Sequence, residues 1–361
     1  MADTSSAQSP EAVTVNWGIL GCADIARKFC VAVEGAANAK VAAVASRDLA
    51  KAQAFSEANA PGSKALGSYE ELLAMADVQA VYIPLPTGVR VEWVIKAAES
   101  KKHILCEKPL APTFEEAQQM VQACQEAGVQ FMDNTMFMHH DRLSEMRKVL
   151  DDEDKFGKPT QVLSAFTIPF GNEEGWAANN IRMNRAAEPL GCLGDLGWYC
   201  VRVSLWTFQH DTPESVRCDY LQTTEEGVPV QALVTMKFSG ARMASFDCSF
   251  KHCLRQWLEV VGEKASLACD DFVVTAELDK ASYGVLKAGI SDKALTFSAQ
   301  REVAVVSGCV QHTKLIECMS RIVASGERDE FWSKAALQTQ RVLLALEASA
   351  RKQGEWVPLD S

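Results

Sequence analysis

From Thr14 to about Asp133, short and almost wholly apolar runs alternate with longer amphipathic stretches, and this rhythm constrains the fold more than any other feature of the chain. The runs are TVNWGIL (14–20), KVAAVAS (40–46), QAVYIPL (79–85), KHILCEK (102–108) and VQFMDNT (129–135). A strand apolar on both faces needs cover on both faces, and a parallel sheet receives it from its crossover helices. The intervening stretches carry helix starts. Ser68 with Glu71, and Thr113 with Glu116, have capping-box spacing, in which hydroxyl and carboxylate satisfy orphan amides of a first turn. After Thr113, Ala117, Met120, Val121 and Cys124 recur at i, i+3, i+4 and i+7 and predict a core-facing stripe.

The rhythm stops near Asp133. An acidic stretch follows (Asp151 to Asp154), then TQVLSAFTI (160–168), VQALVTMKF (230–238), RMASFDCSF (242–250) and RQWLEVVG (255–262), which alternate with period two. That pattern suits a sheet with one face on a core and the other less buried. A helical pattern from about Lys334 to Lys352 closes the chain, and no internal repeat is present. At 361 residues the chain is long enough for two domains. The reading is a flexible leader at 1–13, a doubly wound α/β domain at 14–137 and an α+β domain at 138–361 that includes the C-terminal helix.

Composition narrows the function. With 47 acidic and 36 basic residues the formal net charge is −11, which disfavours nucleic acid and anionic membrane as partners. No apolar run approaches the ~18 residues of a membrane span, and MADTSSAQSP lacks the basic start and apolar core of a signal peptide. Twelve cysteines are dilute in so long a chain, and no Asn-x-Ser/Thr sequon occurs. The expectation is a cytoplasmic protein with reduced thiols that handles small molecules.

Residues 17–26, WGILGCADIA, stand where the first strand turns into the first helix. The dinucleotide fingerprint G-x-G-x-x-G/A maps onto Gly21, Cys22, Ala23, Asp24, Ile25 and Ala26, with Ala23 departing at the middle position. Helix N-terminal amides at this turn would face a pyrophosphate. The second strand ends Ala45-Ser46-Arg47-Asp48, without the acidic residue in the position that holds an unphosphorylated ribose. Ser46 and Arg47 can instead hold a 2′-phosphate, so NADP is expected over NAD, while Asp48 caps the next helix.

Two further strands end in Ile83-Pro84-Leu85-Pro86-Thr87 and Cys106-Glu107-Lys108-Pro109. The carboxyl edge of a doubly wound sheet is its ligand crevice, and Lys108 is expected to point into it on a backbone that Pro109 keeps extended. Downstream, GCLGDLGWYC (191–200) places Gly191, Gly194 and Gly197 for close backbone approach to a ligand or to the other domain. On a helix starting there, Asp195 and Tyr199 share a face. His139 and His140 before Asp141, and Cys248 with Cys253, lack metal-ligand spacing, and no metal is expected.

WGILGCADIA, the EKP of Glu107 to Pro109, and NIRMNRAAEPLGCLGDLGWYC (180–200) together resemble the glucose-fructose oxidoreductase/inositol dehydrogenase/MocA family, in particular its dimeric dihydrodiol dehydrogenase branch. The resemblance implies a Rossmann domain followed by an α+β domain with a large, mostly antiparallel, open-faced sheet that often packs on a second subunit. It also implies Lys108 and Tyr199 at the catalytic positions, with Asp195 and Arg182 at the substrate. Cofactor contacts are expected from Gly21, Cys22, Ala23, Asp24, Ile25, Ser46, Arg47, Leu85, Pro86, Thr87, Glu107 and Lys108. Many members have His in place of Tyr199, and Arg90 stands where a more usual relative has His after a Thr-Pro-Asn turn.

The implied activity is NADP-dependent interconversion of a secondary alcohol and a carbonyl on a sugar, a cyclitol or a trans-dihydrodiol. In this reading Tyr199 relays the proton, its pKa drawn toward working pH by Lys108 and the oxidised nicotinamide, and Lys108 polarises the substrate oxygen. Asp195 binds a second hydroxyl or orients Lys108. Aromatic residues such as Trp176 are candidates for an apolar pocket. The alternative is an NADP-binding sensor or scaffold without turnover.

Overall fold

The computed structural model describes residues 13–173, 175–176, 180–291 and 296–359, so all of the leader but Val13 lies outside the described residues. β1 (Val15–Leu20), β2 (Ala39–Ala45), β3 (Lys64–Leu66), β4 (Ala80–Ile83), β5 (His103–Cys106) and β6 (Phe131–Asp133) form one parallel sheet in the order β3-β2-β1-β4-β5-β6. Its crossovers are α1 (Asp24–Glu34), α2 (Leu49–Asn59), α3 (Tyr69–Leu73), α4 (Thr87–Glu99) and α5 (Phe114–Ala127). Strand order reverses between β1 and β4, and a crevice opens beyond the carboxyl ends of the strands at such a point.

The five apolar runs are all strands, trimmed by one or two residues at most ends, with β2 starting one residue earlier than its run, whereas the three-residue edge strand β3 was not expected. At Thr113 both halves of the capping box are present, and Ala117, Met120, Val121 and Cys124 are buried. At Ser68 the hydroxyl accepts from the Glu71 amide, but the Glu71 carboxylate bonds back to the hydroxyl instead of the backbone, and α3 is only five residues long.

After α6 (Asp141–Leu150) the chain builds a nine-stranded sheet from β7 (Pro159–Thr167), β8 (Ser215–Thr223), β9 (Pro229–Lys237), β10 (Met243–Ser249), β11 (Leu258–Gly262), β12 (Ser266–Cys269), β13 (Lys280–Ser291), β14 (Thr296–Ser307) and β15 (Val357–Pro358). Every neighbouring pair is antiparallel except β7 with β10. Both expected sheet types are therefore present. Even-numbered residues of β10 face inward, where α7 (Trp198–Thr207) covers the sheet.

Two helices follow, α8 (Gln311–Ser325) and α9 (Glu330–Arg351), of which only the second was expected, and it starts one turn before Lys334. That extra turn is set by Asp329, whose side chain caps Phe331 while its backbone pairs in both directions with the Gln130 amide group. Both helices lie against the parallel sheet and its helices. Trp17 Nε1 donates to Ser320 Oγ at 3.1 Å, and the Gln340 side chain bonds the backbone of Leu110 and Ala111. A fully buried ion pair between Arg202 of α7 and Asp133 of β6, with Trp198 donating to Thr135 at 2.7 Å, ties the two sheets together.

Candidate active site

At the switch point Gly21 has φ +113, and a Cβ there would stand 3.0 Å from Leu85 Cδ2 and 3.6 Å from the Tyr69 hydroxyl. Only glycine meets both conditions. The space it leaves belongs to a cavity of about 560 Å³ lined by Gly21, Cys22, Ala23, Ser46, Arg47, Asp48, Lys51, Tyr69, Pro84, Leu85 and Pro86. Seven of the expected cofactor residues thus line one space: Gly21, Cys22, Ala23, Ser46, Arg47, Leu85 and Pro86. α1 begins at this wall with Ala23 as an N-cap that has no side-chain bond to the first turn, which leaves its leading amides for an anion.

Asp48 is the cap of α2, accepting from the amides of Ala50 and Lys51. Its carboxylate is thereby committed to the helix, and the cationic side chains on this wall are Arg47 and Lys51. Lys51 escaped notice in the sequence because one lysine in a helix reads as solvated. Its place three residues after the cap, one turn from Arg47, was the available signal.

Other expected cofactor residues stand elsewhere. The Asp24 side chain is 96% exposed and pairs with Arg27. Ile25 does not line the cavity. Thr87 is fully buried, its amide and hydroxyl both donating to the Glu188 carboxylate at 3.2 and 2.6 Å. Glu107 accepts at one oxygen from the Tyr82 hydroxyl at 2.5 Å and the Asn134 amide at 2.6 Å, behind the EKP turn. Tyr82 and Asn134 carry no motif and Glu188, though inside the 180–200 segment, was not singled out there; their roles arise only where loops meet.

The Lys108–Pro109 peptide is cis. The Lys108 ammonium donates to Asp195 twice, to Oδ1 at 2.6 Å and to the backbone oxygen at 2.8 Å. Arg182 Nε donates to the other carboxylate oxygen, Oδ2, at 2.6 Å. One carboxylate therefore joins the lysine at the end of β5 to an arginine from the segment before α7. Lys108 also stands over the Tyr199 ring, 5.0 Å from its centroid, and the Tyr199 hydroxyl points to Met136 Sδ at 3.7 Å. Phe166 and Phe137 pack on the same ring.

The turn holding Asp195 is not the start of an α-helix: Leu193–Gly197 is a π-helical turn that runs into α7. Small residues make the wide turn possible. A Cβ on Gly194 would lie 2.7 Å from Leu190 Cβ and 3.1 Å from Pro109 Cγ, so its glycine hydrogen admits the turn that carries Lys108. Gly191 admits the backbone of β9 at Pro229, and Gly197 faces Phe246. The close approach expected of these glycines is thus to both neighbouring units.

Charge states follow from the packing. Burial favours the neutral acid at Asp195, but Lys108 and Arg182 outweigh it and hold the pKa at about 2. Burial draws Lys108 down, yet Asp195, with Tyr199 and Glu107, leaves it above the ordinary lysine value. At Tyr199 burial pushes the pKa up to about 12, and the attraction of Lys108, which stands over the ring, is the smaller effect.

Trp176 packs on Phe250 at 5.4 Å between ring centroids, while residues 174 and 177–179 beside it lie outside the described residues. His139 stacks on Trp332, and His140 Nδ1 accepts from the Arg142 amide. All twelve cysteines are free thiols, nine of them buried. Among the described residues no helix is long and apolar enough to cross a membrane.

Residues 15–135 match GFO_IDH_MocA, an oxidoreductase family with an NAD-binding Rossmann fold, and residues 143–268 match the GFO/IDH/MocA C-terminal domain. The D-xylose 1-dehydrogenase (NADP(+)) 2 of Haloferax volcanii is 30% identical over 352 residues, covering 95% of this chain and 99% of that protein. The trans-1,2-dihydrobenzene-1,2-diol dehydrogenase of Danio rerio is 30% identical over 262 residues, 71% of this chain and 74% of that one. A solved 3-ketoreductase from Actinomadura kijaniata, in complex with NADP and TDP-benzene, superposes with a TM-score of 0.81 at 25% identity over 93% of this chain and 98% of that one. With matches in both sheets and relatives aligned along nearly its full length, the chain belongs to the GFO/IDH/MocA family of oxidoreductases.

Proposed function

We propose that the protein is an NADP-dependent oxidoreductase that interconverts a secondary alcohol and a carbonyl on a small polyhydroxylated substrate, a sugar, cyclitol or trans-dihydrodiol. The observation that carries this reading is the Lys108–Asp195–Arg182 chain beside the Tyr199 ring, at the end of β5, the neighbour of the strand β4 whose end lines the cavity. The cavity fits the cofactor on its own terms: a glycine at positive φ, an uncapped helix start, and two cations at the end of the second strand. Relatives named for NADP and for sugar or dihydrodiol substrates support the same choice.

Gly21, Cys22 and Ala23 with the start of α1 would hold the pyrophosphate, and Ser46, Arg47 and Lys51 the 2′-phosphate. The cofactor supplies hydride-transfer chemistry. Lys108, cationic and oriented by Asp195, polarises the substrate oxygen. Tyr199 is a phenol at neutral pH and as such donates a proton to that oxygen when a carbonyl is reduced; when an alcohol is oxidised, its phenolate accepts the hydroxyl proton. Arg182 and Asp195 receive a neighbouring hydroxyl. Exposed Leu233 and Met243 on the outer face of the nine-stranded sheet support a homo-oligomer, and twelve free cysteines support a cytoplasmic location.

The test is a screen of NADPH oxidation and NADP⁺ reduction against aldoses, ketoses, cyclitols and dihydrodiols, with NAD(H) alongside. Turnover that falls by about 10²-fold or more in both Tyr199→Phe and Lys108→Met is expected. Tight cofactor binding without turnover on any substrate would replace this reading with a sensor.

A further inference from the structure

Arg90 lies on the inner side of α4, where its neighbours Val94, Ala97 and Ala98 are fully buried, and it is itself only 2% exposed. A guanidinium in such a place is expensive unless each of its donors finds a partner. Among the described residues no carboxylate lies within ion-pair reach of it, and its partners are carbonyl oxygens. Nε and Nη2 both donate to Leu85 O, at 3.0 and 2.6 Å, while Nη1 donates to Pro109 O and, at 3.4 Å, to Leu110 O.

Those carbonyls follow the carboxyl ends of adjacent strands. β4 and β5 are paired as far as Ile83 with Cys106, and the last backbone bond between them runs from Glu107 N to Ile83 O at 3.4 Å. Beyond it Pro84, Pro86 and Pro109 have no N–H to donate, so the ladder cannot continue. One of the two freed stretches, Pro84 to Pro86, is a wall of the cofactor cavity. The other immediately follows Lys108.

We propose that Arg90 is a positioning residue: its guanidinium takes the place of the missing ladder and sets the separation between the cofactor wall at Leu85 and the ammonium of Lys108. The inference rests on the role given above to Lys108. It adds that the spacing of the two ligand sites is carried by a side chain on α4 that touches neither ligand.

The test compares Arg90→Met and Arg90→Lys with Lys102→Met, which removes another buried cation of the same unit, bonded to Met75 O and Val78 O away from the site. Reductive methylation with formaldehyde and a borane, followed by peptide mass spectrometry, gives the labelling rate of Lys108 relative to exposed Lys64. In Arg90→Met, Lys108 is expected to label about tenfold faster than in wild type, and kcat to fall by tenfold to about a hundredfold with the KM for NADPH within about threefold. Lys102→Met, at a comparable loss of unfolding midpoint, should keep wild-type labelling and kcat. Arg90→Lys keeps the charge but not the fork, and should fall between. Wild-type labelling in a folded Arg90→Met would overturn the proposal, as would faster labelling with unchanged kcat. If Arg90→Met does not fold, wild-type labelling in Arg90→Lys overturns it. Labelling needs no substrate, so it decides the matter even if the wild-type protein turns nothing over, an outcome that would remove the proposed activity instead.

Discussion

Arg47 and Lys51 flank Asp48, whose carboxylate is held by the first amides of α2, so cofactor choice rests on two cations and no free acid. Charge-assisted bonds to a phosphate are worth about 1.5–3 kcal/mol each. Arg47→Ala and Lys51→Ala should therefore each weaken NADPH binding by about tenfold to a hundredfold and leave NADH within about twofold, as fluorescence titration would read. Equal losses for both cofactors would move these side chains off the 2′-phosphate. The proton chemistry has a signature as well. Asp195 at about 2 and Tyr199 at about 12 bracket the working range. Carbonyl reduction uses the protonated phenol and should be flat from pH 5 to 9, whereas alcohol oxidation uses the phenolate and should rise toward tenfold per unit; pH–rate profiles in the two directions check this. Lys108, Asp195, Arg182 and Tyr199 were legible because they sit in a motif. Lys51, Glu188 and the bonds of Arg90 were not, because each depends on which loop meets which.

The π-helical turn at Leu193–Gly197 is the element on which both halves of the site depend. Gly194→Ala would set a methyl 2.7 Å from Leu190 Cβ and 3.1 Å from Pro109 Cγ, forcing the turn away from Lys108. Expected are a loss of about 1–3 kcal/mol in urea unfolding and a fall in kcat larger than the rise in substrate KM; an unchanged kcat would free the turn from this role. Periodicity revealed the five strands that are buried on both faces and four of the nine in the other sheet. It could not reveal a turn whose width comes from the absence of side chains, and Asp195 and Tyr199 were accordingly placed on an ordinary helix. β13 and β14 also went unread, since alternation is blurred where small and charged residues share a long hairpin, as in KASYGVLKAGI. α9 was read one turn short because its cap belongs to a tertiary contact with Gln130.

Across the whole molecule the acid response is set by histidines kept neutral. Burial, reinforced by nearby cations, holds His139 at about 3 and His140 and His312 at about 4. Each folded value lies below the ordinary 6.5, so between about pH 4 and 6.5 the unfolded chain binds protons that the folded chain refuses, and stability rises with pH through that window. Urea midpoints should therefore fall between pH 7 and pH 5, by on the order of 2 kcal/mol or more in unfolding free energy, and His312→Asn should flatten the slope. Equal midpoints would contradict the burial of these rings. The contacts of α8 and α9 with Trp17, Leu110 and Ala111 bear on something else, the order of events during synthesis. When the parallel sheet has left the ribosome, the helices that cover Trp17 and bond the stretch after Lys108 are still some two hundred residues from being made. The first third of the chain must wait, partly uncovered, for the last fifty residues, and a protein cut after β14 would lose the cover of its nucleotide-binding unit rather than a dispensable tail.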